Sequence, residues 1–135
     1  MEFLETYNTT IGVLGFTGLL LLVQIFIADL VAIKQKHTPG YPVDPNHESF
    51  LFRATRAHSN TNETIAVFVL FALFGMLSGA NAFYLNTFSM IYLIGRLAHM
   101  IFYYANLKLA RSISFPVSLI GLIGMFVAGV LTLLG

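Results

Sequence analysis

The sequence predicts an all-α membrane protein, built as an up-down bundle of four transmembrane helices in one domain, residues 1–135. Composition is the first reason. Residues are 57% hydrophobic and only 10% charged, with mean hydropathy +0.80, whereas a soluble domain carries about 25% charged residues. The second reason is length. Four stretches reach the roughly 20 residues a helix needs to cross about 30 Å of hydrocarbon. The third is punctuation, because short polar connections separate these stretches and make sequential helices antiparallel neighbours.

The first span covers about 7–34 and is uncharged until Asp29 near its end. Glu2 and Glu5 precede it, so the basic start of a signal peptide is missing and the segment is expected to be retained. The loop His37–Asn46 then holds three of the four prolines. A second span covers about 48–78, with its apolar part in 65–77, and Ser78-Gly79-Ala80-Asn81 forms a turn. The third span covers about 83–109, and the fourth about 113–134, with Asn106 to Ser112 read as a polar connector. Gly12, Gly15, Gly18, Gly121 and Gly124 permit close helix approach, within one bundle or between protomers.

Charge gives orientation. Lys34, Lys36, Arg53, Arg56, Lys108 and Arg111 flank the first and third loops, which share a side in a four-span bundle. The positive-inside rule places that side in the cytoplasm and both termini outside. A net charge of +1 without a basic run gives no case for nucleic acid binding. The absence of cysteine excludes disulfides, thiolate metal sites and a cysteine nucleophile, so any thiol chemistry needs a thiol from a ligand. Walker, Rossmann and GxSxG patterns are absent, and the four histidines lack zinc-site spacing.

Two polar stretches stand where a bilayer disfavours them. Arg56, Asn60 and Glu63 recur at i, i+4 and i+7 and share one helical face, with Arg53 on its flank. An arginine, an amide and a carboxylate on one stripe suit a zwitterionic ligand; an ion pair that stitches two helices is the alternative. Arg96, His99 and Tyr103 recur at i, i+3 and i+7 in the third span. Arg96 cannot lose its charge, and matching depths predict a Glu63–Arg96 contact. Arg111 and Ser112 fall where the fourth helix is expected to begin, a place suited to stabilising a thiolate or oxyanion, or to a simple interfacial anchor.

Arg56-Ala57-His58-x-Asn60-x-x-Glu63, followed by Arg96-x-x-His99-x-x-x-Tyr103, resembles the MAPEG family, the membrane-associated proteins of eicosanoid and glutathione metabolism. The resemblance covers essentially the whole chain. It implies a homotrimer that binds glutathione near the cytoplasmic side, in clefts between neighbouring protomers. Arg56, Asn60 and Glu63, flanked by Arg53, would hold glutathione from one protomer. His99, Tyr103, Arg111 and Ser112 would line the cleft from the adjoining one, with Arg96 as a structural residue. Arg111 matches the family arginine that activates the thiol, assisted by Ser112, and Lys34 stands where some members have a basic residue late in the first helix.

The implied activity is a glutathione transferase or peroxidase in which an arginine-held thiolate attacks a lipophilic electrophile or lipid hydroperoxide arriving from membrane lipid. His58 after Arg56-Ala57 resembles the microsomal glutathione transferase and prostaglandin E synthase branch. Ser59, Phe115 and the short first loop depart from the eicosanoid synthases and fit a generic enzyme of a bacterial inner membrane. Two other readings compete: a non-catalytic lipid- or peptide-binding bundle, and a small b-type cytochrome using His58 and His99.

Overall fold

Apolar runs closed by strong stop signals fold into five helices in the computed structural model, which describes residues 1–135. A single turn, α1 (Glu2–Thr6), leads into α2 (Asn8–Lys34); α3 (Phe50–Leu77), α4 (Ala82–Tyr104) and α5 (Lys108–Leu134) follow. The last four are each long and apolar enough to cross a membrane. Even α4, the shortest at 23 residues, extends about 35 Å at roughly 1.5 Å per residue.

Helices α2, α3 and α4 end in the same way. Lys36, Gly79 and Asn106 adopt left-handed conformations, with φ of 55°, 71° and 58°. Their N–H groups return to the carbonyls of Ile33, Met76 and Tyr103, and the next residues return to Ala32, Gly75 and Phe102. Each is a Schellman cap that satisfies otherwise orphaned carbonyls. At the start of α4, Asn81 Oδ1 accepts from the N–H groups of Phe83 and Tyr84, at 3.0 and 3.4 Å.

The caps alter one boundary read from the sequence. Asn106 ends α4 early, so the connector is only Ala105 to Leu107 and α5 begins at Lys108 rather than near residue 113. Lys108, Leu109, Ala110 and Arg111 are all good helix formers, and the helix continues past the apolar stretch into its polar flank.

Helices α3 and α4 form the centre of the bundle. Helix α2 packs on both, α5 packs on both from another side, and the α4–α5 contact is the most extensive. Its closeness depends on glycine. A Cβ on Gly121 would lie 2.6 Å from Tyr92 N and 2.7 Å from Phe88 O, both backbone atoms. Gly121→Val is therefore expected to destabilise the bundle by about 1–3 kcal/mol, read as a lowered melting temperature in detergent. An unchanged melting temperature would mean that the two helices are free to separate. Gly12, Gly15 and Gly18 meet nothing within 4 Å inside the protomer, so they serve no packing within this chain.

Hydrocarbon on both sides removes most of the hydrophobic drive between membrane helices, and polar seams take up part of that work. The buried stripe of α2 is largely polar: Thr10, Val13, Thr17, Leu20 and Gln24. Thr10 Oγ1 donates to Asn86 Oδ1 at 2.7 Å, Gln24 Nε2 donates to Thr61 Oγ1 at 3.1 Å, and the Tyr7 hydroxyl donates to Ala80 O at 2.7 Å. Between the seams Phe68 stacks on Tyr92 at 4.3 Å. Six of the seven Lys and Arg residues lie where α2 and α4 end and where α3 and α5 begin. Only Arg96 lies deeper.

Candidate functional site at the basic end

Tyr103, near the end of α4, is the hub of this end. It is buried, and its ring lies 5.3 Å from the His99 ring one turn before it. The Arg111 guanidinium reaches across from α5 to 4.4 Å from the ring centre of Tyr103, a cation–π contact. Arg111 Nη1 is enclosed and has no partner in the chain. The structure thus brings together His99, Tyr103 and Arg111, with one strong donor of Arg111 uncommitted.

On α3, Arg56 Nη1 lies 3.9 Å from Glu63 Oε1, with side chains 41% and 58% exposed. Arg56 also donates to Ser59 Oγ at 3.1 Å. A pair this exposed contributes at most about 1 kcal/mol, so either member can exchange its partner for a ligand at little cost.

Asn60 has a different task. Arg96 Nη1 donates to Asn60 Oδ1 at 2.6 Å and to its backbone carbonyl at 3.2 Å. This corrects the expected Glu63–Arg96 contact. Asn60 sits on the edge of α3 nearest α4, whereas Glu63 is turned outward and exposed. Arg96 is fully buried with Nε and Nη2 unpartnered, and the Phe115 ring lies 5.2 Å from its guanidinium. A guanidinium only donates, so the Asn60 oxygen must face it, and the amide Nδ2 is left as a donor for something else.

Arg53 acts as a clamp. Its Nη1 donates to His47 O at 2.7 Å and its Nη2 to Tyr104 O at 3.5 Å, tying the first loop to the end of α4. Ser112 is exposed, and its hydroxyl donates back to Lys108 O at 2.9 Å; the chain does not bring it to Tyr103. Because α5 starts at Lys108, the Arg111 N–H is already taken by Leu107 O at 3.1 Å, and its contribution is the side chain. Lys34 is exposed at the last residue of α2, and Asp29 is exposed five residues before it.

One member had no signal in the sequence. His47 lies in the loop before α3, with Nε2 3.4 Å from the Tyr103 hydroxyl and its ring edge-on to Phe52 at 4.9 Å. Partial burial, then the charges of Arg111, Lys108, Arg56 and Arg53, hold its pKa below the ordinary 6.5. Between that depressed value and about 6.5 the unfolded chain binds the proton that folded His47 refuses, so stability falls on acidification through this window. His47→Gln is expected to flatten that part of the stability profile, measured as melting temperature from about pH 7.5 downward. An unaltered slope would mean that His47 titrates normally.

No three His, Cys, Asp or Glu side chains gather as metal ligands. A family model described as MAPEG family matches residues 11–131. No curated protein and no solved structure matches the chain.

Proposed function

The chain belongs to the MAPEG family, and from that premise we propose that it is a membrane-bound, glutathione-dependent transferase with peroxidase capacity. The observation that carries this reading is the enclosed, unpartnered Nη1 of Arg111 beside Tyr103 and His99. Glutathione has two carboxylates, an ammonium, two amides and a thiol, and the basic end has groups complementary to each. Arg56 would take a carboxylate, Glu63 the ammonium, and the free Nδ2 of Asn60 a peptide carbonyl. His99 and Tyr103 would line the same cleft, and Arg111 would face the sulfur.

Bound glutathione supplies the nucleophilic sulfur for conjugation or peroxide reduction. A free thiol ionises near pKa about 8.5, and Arg111 would lower that value by placing a full positive charge beside the sulfur. An apolar groove of about 390 Å³ between α4 and α5, lined by Ile94, Ala98, Phe102 and Val117 among others, offers a surface for a lipophilic second substrate. In this reading three protomers associate and glutathione lies in clefts between neighbours. Exposed Lys34 would be a further cation available to a neighbouring cleft. The basic end would face the cytoplasm of a bacterial inner membrane, with both termini outside, and the branch proposed is that of the microsomal glutathione transferases and prostaglandin E synthases.

Detergent-purified protein should conjugate glutathione to a chlorodinitrobenzene-type electrophile or reduce an organic hydroperoxide. If neither reaction occurs while glutathione or lipid still raises the melting temperature, the chain is a binding bundle. A haem absorption band in the purified protein would support the cytochrome reading instead.

A further inference from the structure

Arg111 can stabilise a thiolate, but a guanidinium has no lone pair with which to accept the thiol's proton. Two histidines lie against Tyr103. His99 is 3% exposed and packed between Tyr103 and Phe115, so a proton placed there has no direct route to water. His47 is only partly buried and lies on the loop side of the bundle, with Nε2 3.4 Å from the Tyr103 hydroxyl. Arg53 fixes it in place by holding its carbonyl, and Phe52 braces the ring edge.

We propose that His47 is the proton acceptor behind Tyr103: through the Tyr103 hydroxyl it receives the proton lost when a thiol is held as thiolate at Arg111. This rests on the reading of Tyr103 and Arg111 as the thiol end of a glutathione site. In the step, the S–H bond breaks and its proton joins Tyr103 Oη, while the hydroxyl's own proton passes to His47 Nε2. His47 then releases a proton to water. The net change is one thiol ionised and one proton delivered to solvent, with Tyr103 and His47 returned to their starting states.

The charges around His47 suit a transient carrier. Arg53 and Arg56 act on it from α3 and Lys108 and Arg111 from α5, while the Tyr103 hydroxyl on α4 lies 3.4 Å from its Nε2. The exposed Glu48 next to it in sequence forms no ion pair. Partial burial, then these four cations, hold the His47 pKa below the ordinary 6.5, and both favour release of the proton once it has arrived.

The test is stopped-flow mixing of the detergent-solubilised full chain with glutathione, following proton release with a pH indicator and thiolate by ultraviolet absorption. His47→Gln is expected to slow proton release by about 10²-fold, within the range of general acid–base catalysis. The final thiolate fraction and glutathione affinity should stay unchanged, and added imidazole should restore the rate. Tyr103→Phe, which keeps the ring, should slow release similarly, and the double variant should be no slower than either single one. Wild-type release rates in His47→Gln or in Tyr103→Phe would overturn the proposal. So would slowed release that imidazole fails to rescue and that tracks lost affinity, the signature of a purely structural histidine. Wild-type protein that binds glutathione without releasing a proton would instead refute the underlying functional reading.

Discussion

Arg111→Ala is expected to lower turnover by about 10²–10³-fold while glutathione affinity falls by less than about tenfold. The asymmetry follows from where the charges sit. In the proposed reading Arg56, Asn60 and Glu63 would provide recognition on α3, whereas Arg111 reaches from α5 to the Tyr103 ring with an enclosed, uncommitted Nη1. Under that reading its loss would remove little that holds the peptide and most of what favours sulfur as an anion. Arg111→Lys keeps a charge but not the planar fork that lies over Tyr103, so partial recovery is expected. Steady-state kinetics paired with calorimetric titration of glutathione separates the two quantities. Equal losses in both would make Arg111 a binding residue only.

Asn60→Leu should have the largest effect on stability, about 3–5 kcal/mol, because it removes the side-chain oxygen that faces a fully buried arginine. Adding Arg96→Met should return most of that loss by removing the stranded charge. The cycle, read from melting or denaturant curves in detergent, measures the coupling directly. The rescued double variant should fold yet bind glutathione about 5–10-fold more weakly, because the Asn60 amide is one of the proposed contacts. A cost below about 1 kcal/mol for Asn60→Leu would mean that Arg96 is balanced by some other group.

The fold was largely legible because hydropathy and punctuation report on the same boundaries. Pro-rich His37–Asn46 and the Gly79 turn fall at real helix ends, and Gly79 supplies the left-handed residue that a Schellman cap requires. The α4–α5 boundary was misread because hydropathy follows the apolar stretch, while the helix follows backbone hydrogen bonding. Asn106 ends α4 and Lys108 begins α5 within a polar stretch that looks like loop.

The candidate site was legible to the helical face but not to the atom. Spacing put Arg56, Asn60 and Glu63 on one stripe, yet residues three apart on a helix differ by about 60° in direction. That difference turns Asn60 towards Arg96 and leaves Glu63 exposed. Spacing also could not reveal that Arg53 is committed to the carbonyls of His47 and Tyr104. His47 was invisible because its partner lies 56 positions away and no periodicity links a loop residue to a helix face.

Ultraviolet difference absorption of the wild-type protein titrated with glutathione at neutral pH, beside Arg111→Ala, tests directly whether Arg111 holds bound glutathione as its thiolate. A thiolate band is expected that saturates with binding in the wild type and vanishes in Arg111→Ala even when its sites are filled. Saturated binding with the thiol still protonated in the wild type, or an undiminished band in Arg111→Ala, would contradict it.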